Sequence, residues 1–224
     1  MQTIRVWDLP TRLFHWLLAT AVVGLVITAT IGGNWMSWHL RLGYAVLALL
    51  LFRVVWGFVG GQWSRFGSFL FAPSTVIAYL RGQAQPEHRV GHTPLGALSV
   101  FALLAILLAQ VSTGLMSDDE IAFFGPLVRF VSGDTVALAT SYHKNVGKFF
   151  VISLVVLHVL AIVFYKSVKK ESLVRPMVVG DKQIAANLPV PHTRDSAASR
   201  MLALLVLAVC GGAVAWLVQV GSAF

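Results

Sequence analysis

Five stretches of this chain, residues 11–31, 38–58, 94–116, 142–165 and 201–220, are long and nearly free of charge. A helix needs about 20 predominantly apolar residues to cross a hydrocarbon core of about 30 Å, and each stretch meets that requirement. The sequence therefore predicts an all-α integral membrane protein with five transmembrane helices. Composition agrees: 57% of the 224 residues are apolar, only 12% are charged and the mean hydropathy is +0.78, outside the range of ordinary soluble domains. The first stretch is expected to be retained rather than cleaved as a signal peptide. It is long for such a segment, Asp8 and Pro10 precede it as a helix start, and no clear small-residue cleavage site comes after it.

Orientation follows from the cations. Two lie before or at the start of the first stretch, four around the connection between the second and third, and seven after the fourth; Arg41, Arg129, Lys144 and Lys148 fall on the opposite side. Because positively charged loops stay in the cytoplasm, the N-terminus is expected inside and the C-terminus outside. The net charge of +8 thus reports topology and anionic lipid, and implies no nucleic-acid partner. Cys210 is the single cysteine, which excludes an intramolecular disulfide, a cysteine-held iron–sulfur cluster and a C-x-x-C-H attachment for haem c.

Along the chain, Asp8, Pro10 and Thr11 mark the first helix start, and Gly32, Gly33 and Asn34 a short turn. Ser37 and Ser141 read as N-caps, each two residues before a histidine, His39 and His143. Each of these histidines has a glycine four residues on, Gly43 and Gly147, on the same helical face, where a flat macrocycle can approach the backbone. Residues 73–79 and 121–131 are expected to lie along the membrane surface. Residues 167–200 read as a cytoplasmic linker with three prolines. The expected organisation is a bundle over 1–166, that linker, and an additional transmembrane helix in 201–224.

An intramembrane histidine is costly and by default a functional candidate with a partner to be named. Four of the seven qualify. His143 and His158, 15 residues apart on one expected helix, are separated by a rise of about 22 Å and an angular offset of about 60°, so they face one interior at two depths. His39 matches the depth of His143, and His15 that of His158. Opposed imidazoles suit six-coordinate haem iron, which changes redox state without binding substrate. Each histidine alone also reads as a hydrogen-bonded helix residue, the plainer reading for His39 and His143 taken singly; as a matched set they read as axial ligands of two haems b. Haem carboxylates need cations: Arg12 and Arg53 at the inner level, which read equally well as topology anchors, and Arg41, Lys144 and Lys148 at the outer. His92, opening the third helix, is placed to meet a propionate or a quinone head group; His88 and His192 read as solvated loop residues.

The run Val6-Trp7-Asp8-Leu9-Pro10-Thr11-Arg12-Leu13-Phe14-His15-Trp16, then His39 with Gly43, Arg53 with Trp56 and Gly57, Gly91-His92-Thr93-Pro94-Leu95-Gly96, and the His143 to His158 helix resemble the bacterial cytochrome b561 and nickel–iron hydrogenase b-type cytochrome superfamily. The resemblance covers about the first 165 residues. It implies a four-helix transmembrane bundle holding two haems b between these histidines, in the bacterial inner membrane, exchanging electrons with quinone (ubiquinone or menaquinone) and a redox partner. The fifth helix departs from that pattern.

The leading expectation is an electron-transfer subunit linking membrane quinone to a periplasmic protein such as a c-type cytochrome or a hydrogenase, with Asp118, Asp119 and Glu120 as a candidate docking cluster or simply a polar helix end. A second is a stand-alone quinone-linked oxidoreductase, such as a superoxide:quinone oxidoreductase, with Lys144 and Lys148 drawing a small anion to the outer haem. A third is a histidine-based proton or metal transporter, weakened by the lack of paired intramembrane carboxylates. Assembly into oligomers is left open.

Overall fold

The computed structural model describes residues 1–83, 85–186 and 189–222. A short strand β1 (Gln2–Arg5) leads into α1 (Leu9–Ile31), and α2 (Met36–Val59) comes after a 3-10 turn at Gly33–Trp35. Then come α3 (Pro73–Leu80), α4 (Pro94–Leu115) and α5 (Gly133–Ser141). A π-helical turn (Tyr142–Gly147) joins α5 to α6 (Lys148–Ser167). The chain ends with α7 (Val174–Val179), β2 (Asp181–Ile184) and α8 (Ala197–Ser222). Five continuous helical spans are long and apolar enough to cross a membrane: Leu9–Ile31, Gly33–Val59, Pro94–Leu115, Gly133–Ser167 and Ala197–Gly221. Their many exposed large side chains, among them Ile27, Phe149, Leu157 and Leu205, are those of helices whose outer solvent is lipid rather than water.

Three local expectations are corrected. Ser141 caps nothing: it sits in right-handed helical geometry inside the span, and the N-cap is Ser132, whose hydroxyl accepts from the Thr135 N–H. Ser37 likewise lies inside α2 and donates to the Asn34 carbonyl at 2.9 Å. No helix runs along 121–131, which forms turns and a 3-10 segment at Val128–Phe130; residues 73–79, by contrast, do fall in a helix, α3.

The chain divides into two compact units. The first comprises Met1–Phe14, Arg53–Ala102 and Val156–Leu205. Its core is Ile4, Val6, Trp7, Val90 and Ile184, flanked by Trp63, Met177 and Val190. The stretch read as a linker is structured here: β2 pairs antiparallel with β1, Gln2 opposite Ile184 and Arg5 opposite Asp181. Gly180 supplies the turn into β2 with φ near +91°, and its carbonyl accepts from the N–H groups of both Val6 and Trp7. Asp195 ties the same strand down, accepting from Arg5 at 2.9 Å and from Arg200 at 2.9 Å.

Asp8 explains the start of α1. It is wholly buried, and such a carboxylate persists only if its lone pairs are filled. Oδ1 accepts from the Thr11 N–H at 2.7 Å, as an N-cap does, and from Trp56 Nε1 at 3.3 Å. Oδ2 accepts from the Gly61 N–H at 3.1 Å and from the Ser64 hydroxyl at 2.8 Å. One side chain thus caps α1 and ties it to the end of α2 and the loop beyond.

The second unit comprises His15–Phe52, Leu103–Val155 and the chain from Val206 onward. Ala21, Val46, Leu50, Leu107, Val111, Leu115 and Val151 form its core, with Leu217 of α8 packed against it. Gly221 of α8 lies so close to Pro126 that a side chain would collide.

Candidate functional site

The second unit brings His39 of α2 and His143 of the π-helical turn together. Their ring centroids are 6.1 Å apart and the planes stand at 89°. Two imidazoles bonded to one metal ion, with about 2 Å for each metal–nitrogen bond and about 1 Å from each nitrogen to its ring centre, have their centroids about 6 Å apart. The observed separation meets that requirement.

The backbone fixes which nitrogen is offered. His39 Nδ1 lies 3.0 Å from the Leu25 carbonyl, with the Thr28 hydroxyl at 3.4 Å, and His143 Nδ1 lies 2.8 Å from the Gln110 carbonyl. A carbonyl only accepts, so each Nδ1 carries the hydrogen and each Nε2 keeps its lone pair for a ligand bond. Such outer contacts set tautomer and ring orientation at metal-bound histidines. The π turn is part of the same arrangement: widening the helix at 142–147 re-aims His143 relative to a regular α-helix, so the spacing from His143 to His158 is not set by 1.5 Å per residue throughout.

Small residues shape the space around the pair. An added Cβ on Gly43 would meet nothing within 4 Å, leaving the backbone one turn beyond His39 open to a flat group. Gly114 is different: a Cβ there would stand 2.8 Å from His143 Cε1 and 3.1 Å from its Nδ1. Gly147 faces the Gln110 carboxamide, whose Oε1 would collide with any side chain, while Gln110 Nε2 donates to the His143 carbonyl at 3.0 Å. Gly114, Gln110, Leu25 and Thr28 went unnoticed in the sequence; only the small side chain of Gly114 and the intramembrane amide of Gln110 offered any signal.

The remaining candidates are spread over both units. His15 lies in the second unit, its ring edge-on to Trp16 at 5.0 Å, and His158 lies in the first; both are half-buried. Arg41 is exposed, with its guanidinium over Trp38 at 5.0 Å, and Lys144 and Lys148 are exposed on the His143 helix. Arg12 is engaged by the Val178 carbonyl at 2.6 Å and by Asp195 at 3.8 Å. Arg53, 3% exposed, stacks over Phe66 at 4.8 Å. His92 packs between Trp7 at 4.7 Å and Phe69 at 4.3 Å; burial, helped by the Arg53 charge, pulls its pKa down to about 3, so it is neutral. Asp119, in the loop after α4, accepts from the N–H groups of Ile121, Ala122 and Phe123, which hold its carboxyl below the ordinary range.

The family described as Prokaryotic cytochrome b561 matches residues 6–180, stopping short of α8. A protein of Cupriavidus necator named "Probable Ni/Fe-hydrogenase B-type cytochrome subunit" is 26% identical over 208 residues, covering 78% of this chain and 85% of that one. One of the same name in Azotobacter vinelandii is 25% identical over 223 residues, covering 83% and 91%. The "Probable Ni/Fe-hydrogenase 1 B-type cytochrome subunit" of Escherichia coli K12 is 23% identical over 152 residues, covering 54% and 64%. No solved structure matches.

Proposed function

Since this chain belongs to the prokaryotic cytochrome b561 family, multi-pass membrane proteins that carry electrons on haem b, we propose that it holds two such haems and links membrane quinone to a redox protein on the periplasmic face. The observation that carries the reading is the His39–His143 pair, two imidazoles at ligand separation with both Nδ1 atoms committed to carbonyls. His39 and His143 hold the outer haem, with Gly43 admitting its plane; the expected approach at Gly147 is closed, because the Gln110 and Tyr142 side chains cover that backbone. His15 and His158 hold the inner one, a pairing that rests on their matching depths in the sequence and on the family. Bound haem supplies one-electron chemistry at an iron whose axial positions are both filled.

The chain's own residues do the positioning. The Leu25 and Gln110 carbonyls fix the ligand tautomers. Arg41, Lys144 and Lys148 meet the carboxylates of the outer haem, and Arg12 lies at the inner level. Residues 1–166 are the haem-bearing bundle, and α8 adds a helix to it. The N-terminus is cytoplasmic and the C-terminus periplasmic in the inner membrane. The names of the relatives favour a hydrogenase-like partner over other periplasmic donors, a c-type cytochrome being the alternative.

A pyridine haemochrome assay and reduced-minus-oxidised spectrum on purified protein test this. Wild type should hold two haems b per chain, the His39→Ala and His143→Ala variants should lose one, and the His15→Ala and His158→Ala variants the other. Protein that purifies folded but without haem, after expression with ample haem, would sink the reading.

A further inference from the structure

The first unit contains a buried cation with one donor nitrogen left unused. Arg53 is 3% exposed, and among the described residues its Nη1 is buried with no hydrogen-bond partner and no ion pair reaches it. An uncompensated buried guanidinium is among the costliest groups a fold can hold. Asp8 is close enough to act on Arg53 electrostatically, but its oxygens already accept from Thr11, Trp56, Gly61 and Ser64. The second orphan is His92, whose Nδ1 is also buried without a partner. The Phe66 ring under Arg53 and the Phe69 ring against His92 are 5.9 Å apart, so the two side chains share one neighbourhood. Aromatic rings line it: Phe66 under Arg53, Phe69 against His92, and Phe101 within 5.6 Å of Phe66 and 5.3 Å of Phe69. A Cβ on Gly57 would strike the Phe66 ring, so glycine lets that ring reach its place.

Arg53 Nη1 and His92 Nδ1, two buried nitrogens without a hydrogen-bond partner, are both satisfied by one acceptor oxygen. We propose that Arg53 and His92 form one binding site for a ligand acceptor oxygen, Arg53 pairing with its negative charge and His92 donating a second hydrogen bond through Nδ1–H. The ligand is a carboxylate of the inner haem, because a buried full cation is matched best by a full anion; a quinone carbonyl is the other source of the same acceptor chemistry. The proposal deepens the two-haem reading and rests on it.

The holoprotein is made with haem carrying carbon-13 in its propionate carboxylates, as wild type and as Arg53→Gln, Arg53→Lys and His92→Phe. Redox-difference infrared spectra and potentiometric titrations are then recorded. With the haem carboxylate as ligand, the labelled carboxylate band moves in Arg53→Gln and His92→Phe. Loss of the Arg53 charge also lowers one midpoint potential, by about tenfold in the redox equilibrium or about 59 mV for one electron, while Arg53→Lys recovers most of it. The spectrum of the other haem, unchanged, reports that each variant folds. If band and potentials stay put but the KM for decylubiquinol rises tenfold in both variants, the acceptor is the quinone carbonyl. If neither changes, the site is overturned. Failure of the two-haem reading would show separately, as a single haem in the wild type.

Discussion

At the scale of single residues, the arrangement around His143 makes claims that glycines can test. Gly114 leaves 2.8 Å between a would-be Cβ and the His143 ring, a gap ordinary side chains do not tolerate. Gly114→Ala should push the imidazole off its line to His39, so that one haem is lost or its iron turns high-spin; optical and EPR spectra read this directly. Gly43→Leu tests the opposite situation. The space beside Gly43 is open, so the substitution should leave the melting temperature of the haem-free chain unchanged and yet drop haem content from two per chain toward one. Normal loading in Gly43→Leu would mean that the macrocycle lies elsewhere. His39 and His143 could be singled out in the sequence because an imidazole in an apolar run is conspicuous. Their carbonyl partners could not, since every residue carries a carbonyl and nothing in the letters of Leu25 or Gln110 says which one will accept.

At the scale of elements, the five spans could be read because lipid demands an unbroken apolar length, whereas their ends could not be placed so well. Residues 133–141 carry Asp134, Thr135 and several small residues, too polar to register as bilayer-spanning, but Ser132 caps them into one helix continuous with the π turn and α6. The π turn escaped because it inserts an irregularity that a constant period does not contain. The β1–β2 pair was hidden for another reason: four-residue strands some 180 positions apart have no local signature. That clasp has a pH dependence of its own. Burial pushes the Asp195 carboxyl up, but hydrogen bonds and charge from Arg200, the Leu9 N–H and Arg5 outweigh it and hold the carboxyl below its ordinary value. A lowered folded-state pKa means stability that is full above the unfolded value of about 3.9 and is lost as pH falls through the folded one. Hydrogen exchange in β1, corrected for intrinsic rates, should therefore be flat from pH 7 to about 4.5 and rise below. Asp195→Asn should exchange roughly fivefold faster at pH 7 and lose most of the acid dependence. Unchanged protection in that variant would show that Asp195 does not secure the strand.

For the whole molecule, the number of spans and the placement of charge bear jointly on orientation. Five crossings would put the termini on opposite sides, with the cation-rich segments before α1, between α2 and α4, and after α6 all on one of them. In that arrangement α8, which lies beyond the residues matched by the family, would carry the C-terminus across. The packing of its Leu217 on the core, and of Gly221 on Pro126, argues that it is an integral part of the second unit and not a loose anchor. A green fluorescent protein fused after residue 170 should fluoresce and an alkaline phosphatase there should be inactive; fused after residue 222, the activities should exchange. The reverse pattern at both sites would mean that the cations do not set the topology. It would also turn the molecule over, placing the His39–His143 pair at the cytoplasmic face and reversing the proposed route between quinone and the periplasm.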